Sequence, residues 1–284
     1  MPTSRVRLEK DPASHIARLT LDHPERKNAY DPEMRREIGA ALAEVAADDA
    51  IKVLLLRGAG GVFSTGADMG NAYRWYETEG DERRPSQRRK LAVDRESFAF
   101  YHDYIGYPKA TVAQVEGYAL GGGFELALAS DLSVVGRDAR VGMPAARMLG
   151  PVIGNLHLFF HRLGPVLAKR LLLTGEMLEA RALEPLGIFT EVVEPGRVAA
   201  RAEELAALVA KMPADGIAIA KEAWRLVEQS QAYQGEEAAS VLFHAFATNL
   251  RFEPDEFNFV KQRAGRGTRD ALRARDAHFD EGED

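Results

Sequence analysis

Hydrophobic and polar positions alternate over Ile16-Ala17-Arg18-Leu19-Thr20-Leu21, the two-residue period of a strand. A loop around Pro24 follows. The spacing then changes, and Pro32 to Ala47 reads as a helix, with Asp31 as N-cap and Pro32 at the first helical position. Ile51 to Arg57 is an apolar run of buried-strand length. Strand, helix, strand recurs with Ala110 to Val115, a helix from Gly123, and Leu132 to Gly136. That rhythm predicts βαβ units and a largely parallel sheet. The aromatic run Phe98 to Tyr104 is expected late in a helix that enters Tyr107-Pro108-Lys109. Beyond Pro195 the chain turns alanine-rich, and Val198 to Lys211, Asp215 to Gln231 and Gly235 to Thr248 carry helical spacing. The pattern supports a core over residues 1–194 and a helical region over 195–284. Asp280 to Asp284 is expected to fray.

Asn71 to Lys90 breaks the rhythm. It carries Glu77, Glu79, Asp81, Glu82, Arg83, Arg84, Arg88, Arg89 and Lys90, with Gly80 and Pro85. The expectation is a solvated, mobile surface insert, with a lid as the functional alternative. The 284 residues contain no cysteine, which rules out disulfides and thiolate chemistry. The net charge of −6 argues against non-specific nucleic-acid binding. No apolar run reaches membrane-spanning length and the first residues lack a signal-peptide core, so a cytoplasmic location is the default expectation.

Two strand ends carry the candidate chemistry. Val115-Glu116-Gly117-Tyr118-Ala119-Leu120-Gly121-Gly122-Gly123-Phe124-Glu125-Leu126 runs from a strand into a helix start through three consecutive glycines. A helix start presents backbone N–H groups without partners and the positive end of the dipole. Such a place can stabilise negative charge on oxygen, and Glu125 can move a proton beside it. A tight turn with an exposed first-turn glutamate is the plainer alternative. Val53 to Gly58 likewise runs into Gly60-Gly61-Val62-Phe63-Ser64-Thr65-Gly66-Ala67-Asp68-Met69. One amide from each loop makes a two-donor oxyanion site.

The pair Phe63-Ser64-Thr65-Gly66-Ala67-Asp68 and Gly117 to Leu126 resembles the two signature loops of the crotonase, or enoyl-CoA hydratase/isomerase, superfamily. His23-Pro24-Glu25-Arg26-Lys27-Asn28-Ala29 resembles its early CoA-contacting loop. Ser130-Asp131-Leu132, Leu171 to Glu176 and Ala182 to Ile188 match further family stretches in order. The resemblance implies an α/β fold, the ββα spiral of crotonases and ClpP-like proteins, with a helical C-terminal region that builds a homotrimer or hexamer. It implies an acyl-CoA thioester as substrate, with coenzyme A entering as part of that substrate and no tightly bound cofactor or metal. It places the oxyanion donors at the amides of Ala67 and Gly122 and the acid/base at Glu125. Arg26, Lys27, Ala29, Asp68, Met69 and Gly121 fall among its CoA- and substrate-contacting positions, and Arg273 and Arg275 are further candidates from the tail. Asp68 also reads as a turn-stabilising residue.

The chain departs from the family at one point. In Val141-Gly142-Met143-Pro144-Ala145-Ala146-Arg147, Ala145 stands where a second catalytic glutamate is expected, and no Asp or Glu occurs from Ala139 through Gly164. An alanine transfers no proton. Tyr101, His102, Tyr104 and Asn155 are candidates for the missing group, and Arg147 for meeting a substrate carboxylate. His157 and His161 lie one helical turn apart and read as part of a packed or surface helix rather than a metal pair. Hydration or isomerisation of an enoyl-CoA is the leading expectation. A thioesterase or decarboxylase is the second, and an acyl-CoA-binding protein without catalysis the third.

Overall fold

The computed structural model describes residues 4–70, 72–77, 84–151, 154–230, 241, 252 and 256–280. Its main sheet is built from β1 (Val6–Asp11), β2 (Ile16–Leu21), β3 (Val53–Gly58), β4 (Ala110–Val115), β6 (Leu132–Gly136) and β9 (Glu191–Val193), in spatial order β1-β2-β3-β4-β6-β9. Only β1 and β2 pair antiparallel; the other four pairings are parallel. A second sheet joins β5 (Tyr118–Leu120), β7 (Arg140–Gly142) and β8 (Met177–Glu179).

The two-residue period sorts the side chains of the central strands. Leu54 and Leu56 of β3 point into one apolar cluster, with Leu19, Leu21, Ala113 and Val115. Val53 and Leu55 point into the other, with Ile16, Val112 and Val134. Both faces are therefore covered, which is why these strands read as unbroken apolar runs. Helices α1 (Pro32–Ala46), α2 (Gln87–Ile105) and α3 (Gly122–Ala129) contribute to the first cluster, as do later helices of the chain. The second is closed by Val198, Ala202, Leu205 and Ala206 of α7 (Val198–Ala210). Thus a helix beyond the expected boundary at residue 194 is built into the core of the sheet. Asp31 caps α1 by accepting from the Met34 amide, a contact worth about 1 kcal/mol.

Further helices are α4 (Ala146–Leu149), α5 (Leu156–Thr174), α6 (Ala180–Leu183) and α8 (Ala214–Ser230). The last described helix, α9 (Phe259–Asp280), returns to the body of the protein. Phe259 and Ala271 of α9 are fully buried and pack with Met148 of α4. Apart from position 241, the helix expected over Gly235 to Thr248 lies outside the described residues, as do 78–83 of the charged insert and 281–284 of the tail expected to fray, whose first residue Asp280 ends α9.

One part of the insert differs from expectation. Helix α2 starts inside it at Gln87, where Ser86 accepts from the Arg89 amide. Lys90 is only 6% exposed, and its ammonium lies 6.0 Å from the Tyr76 ring centre. The charge run is therefore not solvated throughout. Helical geometry turns position 90 inward together with Asp94, four residues on, which accepts from the Tyr76 hydroxyl at 2.6 Å. Among the described residues no helix is long and apolar enough to cross a membrane.

Candidate active site at the two glycine loops

The parallel strands β3 and β4 end side by side, and each passes directly into one of the glycine-rich loops. The loops then pair with each other. The Phe63 amide donates to the Glu116 carbonyl, Ser64 to Tyr118, and Leu120 to Ser64, at 2.9, 2.9 and 3.0 Å. The Ser64 hydroxyl donates to the Asn28 carbonyl and accepts from the Gly66 amide. Buried Asn28 braces the base of the same loop by donating to the carbonyls of Ala59 and Val62. Gly66 has a φ of +77°, and a Cβ there would lie 2.5 Å from the Gly122 nitrogen. Only glycine lets the two loops meet so closely.

That meeting turns two amides away from the protein's own acceptors. Tyr30 and Ala67 form a short parallel bridge. In it the Tyr30 amide donates to the Gly66 carbonyl and the Asp68 amide to the Tyr30 carbonyl. Parallel pairing of this kind points the amide of the intervening Ala67 to the other side. On the second loop the Gly121 amide donates to the Gly142 carbonyl, and α3 begins at Gly122 with its first-turn amides open. Among the described residues, neither the Ala67 nor the Gly122 amide has an acceptor, while the amides of Gly66, Asp68 and Gly121 are all engaged. Two free donors on adjoining loops are the geometry that negative charge on an oxygen requires.

Glu125 lies one turn into α3 and is 4% exposed. Its Oε1 accepts from both the backbone amide and the side-chain Nδ2 of Asn155, at 2.5 and 2.8 Å. Its Oε2 has no hydrogen-bond partner among the described residues and keeps a sliver of accessible surface. Burial penalises the charged carboxylate and Asn155 partly offsets that, leaving the pKa at about 7. Such a group accepts and returns protons near neutrality.

The residues considered for the missing group fall into three kinds. Tyr104 is spoken for, its hydroxyl 2.9 Å from the Ser130 hydroxyl, which itself donates to the Leu126 carbonyl. His102 lies 5.8 Å from the His157 ring, and burial drives the His157 pKa down to about 3, so that ring stays neutral. No group of three metal-binding side chains exists among the described residues. Asn155 and Tyr101 do reach the site. Asn155 holds Glu125, and the Tyr101 hydroxyl pairs at 2.5 Å with that of Tyr30.

Ala145, where the resemblance expects the second glutamate, is half-buried and packs against the apolar cluster of Met148, Phe259 and Ala271, against which Met69, Leu149, Phe257 and Leu272 also pack. Arg147 donates its Nε to the Thr174 carbonyl at 2.7 Å and lies over the Phe279 ring. Arg263 of α9 donates to the Met69 carbonyl. Of the candidate cofactor contacts, Arg26 and Lys27 are exposed beside the site. Arg26 lies 3.8 Å from Asp68, whose Oδ1 accepts from the Gly70 amide in a tight turn. The Lys27 ammonium sits 4.5 Å over the Tyr118 ring, and Ala29 is buried beneath the loop. In the tail, Arg273 is exposed, whereas Arg275 is buried and bonded to Asp276. Sequence reasoning missed the roles of Asn28, Ser64 and Tyr30. Asn28 and Ser64 stood inside the quoted motifs, but nothing local marks Tyr30 as a partner of a residue 71 positions away.

Comparison with known proteins identifies the family. The family model for enoyl-CoA hydratase/isomerase matches residues 11–265. A Thermus thermophilus protein assigned as an enoyl-CoA hydratase is 36% identical over 218 residues, 76% of this chain and 82% of that one. The 1,2-epoxyphenylacetyl-CoA isomerase of Escherichia coli is 31% identical over 219 residues, 74% of this chain and 80% of the isomerase. The crystal structure of an enoyl-CoA hydratase/isomerase from Xanthobacter autotrophicus Py2 superposes with a TM-score of 0.84 at 28% identity, covering 97% of this chain and 98% of that one. With the crotonase fold, the paired loops and a match over most of its length, this chain belongs to the enoyl-CoA hydratase/isomerase family, whose enzymes act on acyl-CoA thioesters.

Proposed function

We propose that this protein hydrates or isomerises an α,β-unsaturated acyl-CoA through a thioester enolate, with Glu125 as its one carboxylate acid/base. The observation that carries this reading is a buried carboxylate with a pKa of about 7 on the helix whose first amide is an open donor. In hydration, Glu125 takes one proton from water as the oxygen bonds to the β-carbon. The electrons of the double bond move to the thioester oxygen, held by the Ala67 and Gly122 amides. Collapse of the enolate then draws the same proton from Glu125 to the α-carbon. In isomerisation Glu125 takes a carbon-bound proton and returns it two carbons along. Two amide donors in a dry site support the enolate; loss of one costs about 3–4 kcal/mol of barrier in comparable sites.

Ala145 contributes no proton, so both transfers fall to Glu125. Arg26 and Lys27 are proposed to meet the phosphates of coenzyme A. Ala29, Asp68, Met69 and Gly121 shape the path of the pantetheine arm. Relatives as different as a 1,2-epoxyphenylacetyl-CoA isomerase and an (E)-benzylidenesuccinyl-CoA hydratase support an acyl-CoA substrate without fixing the acyl group. Exposed Ile219, Trp224 and Leu226 on α8 support assembly into a trimer or hexamer. Incubation with crotonyl-CoA tests the reaction. Loss of the conjugated thioester absorbance without release of free thiol is expected; thiol release instead makes the protein a thioesterase.

A further inference from the structure

The buried tyrosines around α2 can be sorted by where their hydroxyl hydrogens go. Tyr76 donates to Asp94 at 2.6 Å and Tyr107 to the Leu42 carbonyl at 2.8 Å. Tyr104 bonds to the Ser130 hydroxyl, whose own hydrogen goes to the Leu126 carbonyl. Each of these three hydrogens has an acceptor in the protein. The Tyr30–Tyr101 pair is different. Its two oxygens lie 2.5 Å apart in a buried setting, and neither has another partner among the described residues. Two O–H groups facing only each other's oxygens make one hydrogen bond and leave one hydrogen without an acceptor. A buried donor left in that state is costly unless a ligand takes it up.

The place of this pair is specific. A Cβ built on Gly122 would lie 2.1 Å from both hydroxyl oxygens, so the pair stands directly over the Gly122 α-carbon. The Gly122 amide is one bond away from that carbon. Both residues are buried, Tyr101 at 8% exposure and Tyr30 at 1%, and the leftover hydrogen is assigned to Tyr101 as the less enclosed of the two. On that assignment Tyr30 is the donor within the pair, and a hydroxyl that accepts one hydrogen bond donates its own more strongly. Burial and the nearby charge of Glu125 hold both phenols well above their ordinary pKa, so they keep their hydrogens at working pH.

We propose that the Tyr101 hydroxyl, backed by Tyr30, is a third donor to the substrate's thioester oxygen, beside the Gly122 amide. The proposal rests on the acyl-CoA reading above. It assigns Tyr101 hydrogen bonding to the enolate oxygen and leaves the carbon-bound proton to Glu125. It also gives the site a polar group that does not come from the stretch around Ala145.

Acetoacetyl-CoA is the probe, because its acidic α-carbon gives an enolate with its own absorbance band. The wild type is expected to bind it and to develop that band, with affinity followed by calorimetry. Tyr101→Phe is expected to weaken acetoacetyl-CoA about tenfold or more and to diminish the band, with coenzyme A itself bound within about threefold of the wild type. Tyr30→Phe, which leaves the Tyr101 hydroxyl in place without its backing, is expected to show a smaller loss of about two- to fivefold. A wild-type band and affinity in Tyr101→Phe overturn the proposal, whatever happens to its melting temperature. A lowered melting temperature alone marks the pair as structural and equally overturns it. Absence of any thioester binding by the wild type sinks the acyl-CoA reading itself, a separate result from failure of the tyrosine alone.

Discussion

Glu125 and Ala145 occupy the two positions at which the family resemblance places carboxylates, and their surroundings are opposite in character. Around Glu125 lie Asn155 with two donors on one oxygen, the Tyr30–Tyr101 pair, and the open amide at the head of α3. Ala145 is half-buried against an apolar cluster built on Met148, Phe259 and Ala271. The second set is no vacancy left by a deleted side chain. It is a packed apolar cluster that docks α9 onto α4. A carboxylate there would lose part of its hydration against carbon neighbours, whereas Glu125 has Asn155 to compensate. On the proposed mechanism the contrast makes proton traffic one-sided, with the other side serving shape and closure.

Removing the one carboxylate breaks the polar side outright. Glu125→Gln keeps the volume and the acceptor for Asn155, and turnover of crotonyl-CoA is expected to fall by about 100- to 10,000-fold. The same variant gains stability in a defined pH window. The folded pKa of about 7 exceeds the ordinary value of 4.5. Wild-type stability is therefore highest below 4.5 and is lost as the pH rises through 7. Melting curves at pH 8 are expected to place Glu125→Gln above the wild type, with the gap closing toward pH 4.5. A gap that widens toward acid would contradict the burial account.

Adding a carboxylate to the apolar side is the reciprocal test. Ala145→Glu should lower unfolding free energy by about 1–3 kcal/mol at pH 8, the cost of an uncompensated polar group among carbon neighbours. Urea titrations at pH 8 and pH 5 read the effect, which shrinks as the new carboxyl protonates. An unchanged midpoint at both values would mean that the cluster is open to water.

The smallest effect concerns the clamp on Glu125. Asn155→Ala removes the Nδ2 donor and leaves the backbone one. Since that donor holds the pKa down, the rising limb of kcat/KM against pH should move about one unit to higher pH. Activity at pH 7 falls several-fold, while the plateau at high pH is nearly kept. A uniform loss at every pH would assign Asn155 to shape rather than to charge.

The legible and illegible parts of this molecule separate by sequence distance. The apolar runs of β3 and β4, the Asp31 cap and the glycine triplet at the start of α3 each declare themselves within a few residues. Period, capping and backbone freedom are local properties, and the structure agrees with them. The ordered motifs carried the family and hence the fold. The Tyr30–Tyr101 hydroxyl pair joins residues 71 apart, and Asn155 meets Glu125 across 30. Nothing in the neighbourhood of either partner encodes the other. Lys90 shows the same limit from the other side, since a charged side chain in a charged run gives no local sign of burial.

By itself the chain determined where donors and one carboxylate could occur, because a glycine-rich strand end opens amides wherever it is placed. It also put an alanine where the resemblance expects the second carboxylate, and no fold can turn Ala145 into an acid. Only the tertiary structure decided which amides stay open, which oxygen of Glu125 is held, and which hydroxyl keeps a hydrogen without an acceptor. Those depend on how separate loops and helices satisfy one another's hydrogen bonds, and what remains unsatisfied after packing is visible only when all the partners are in place.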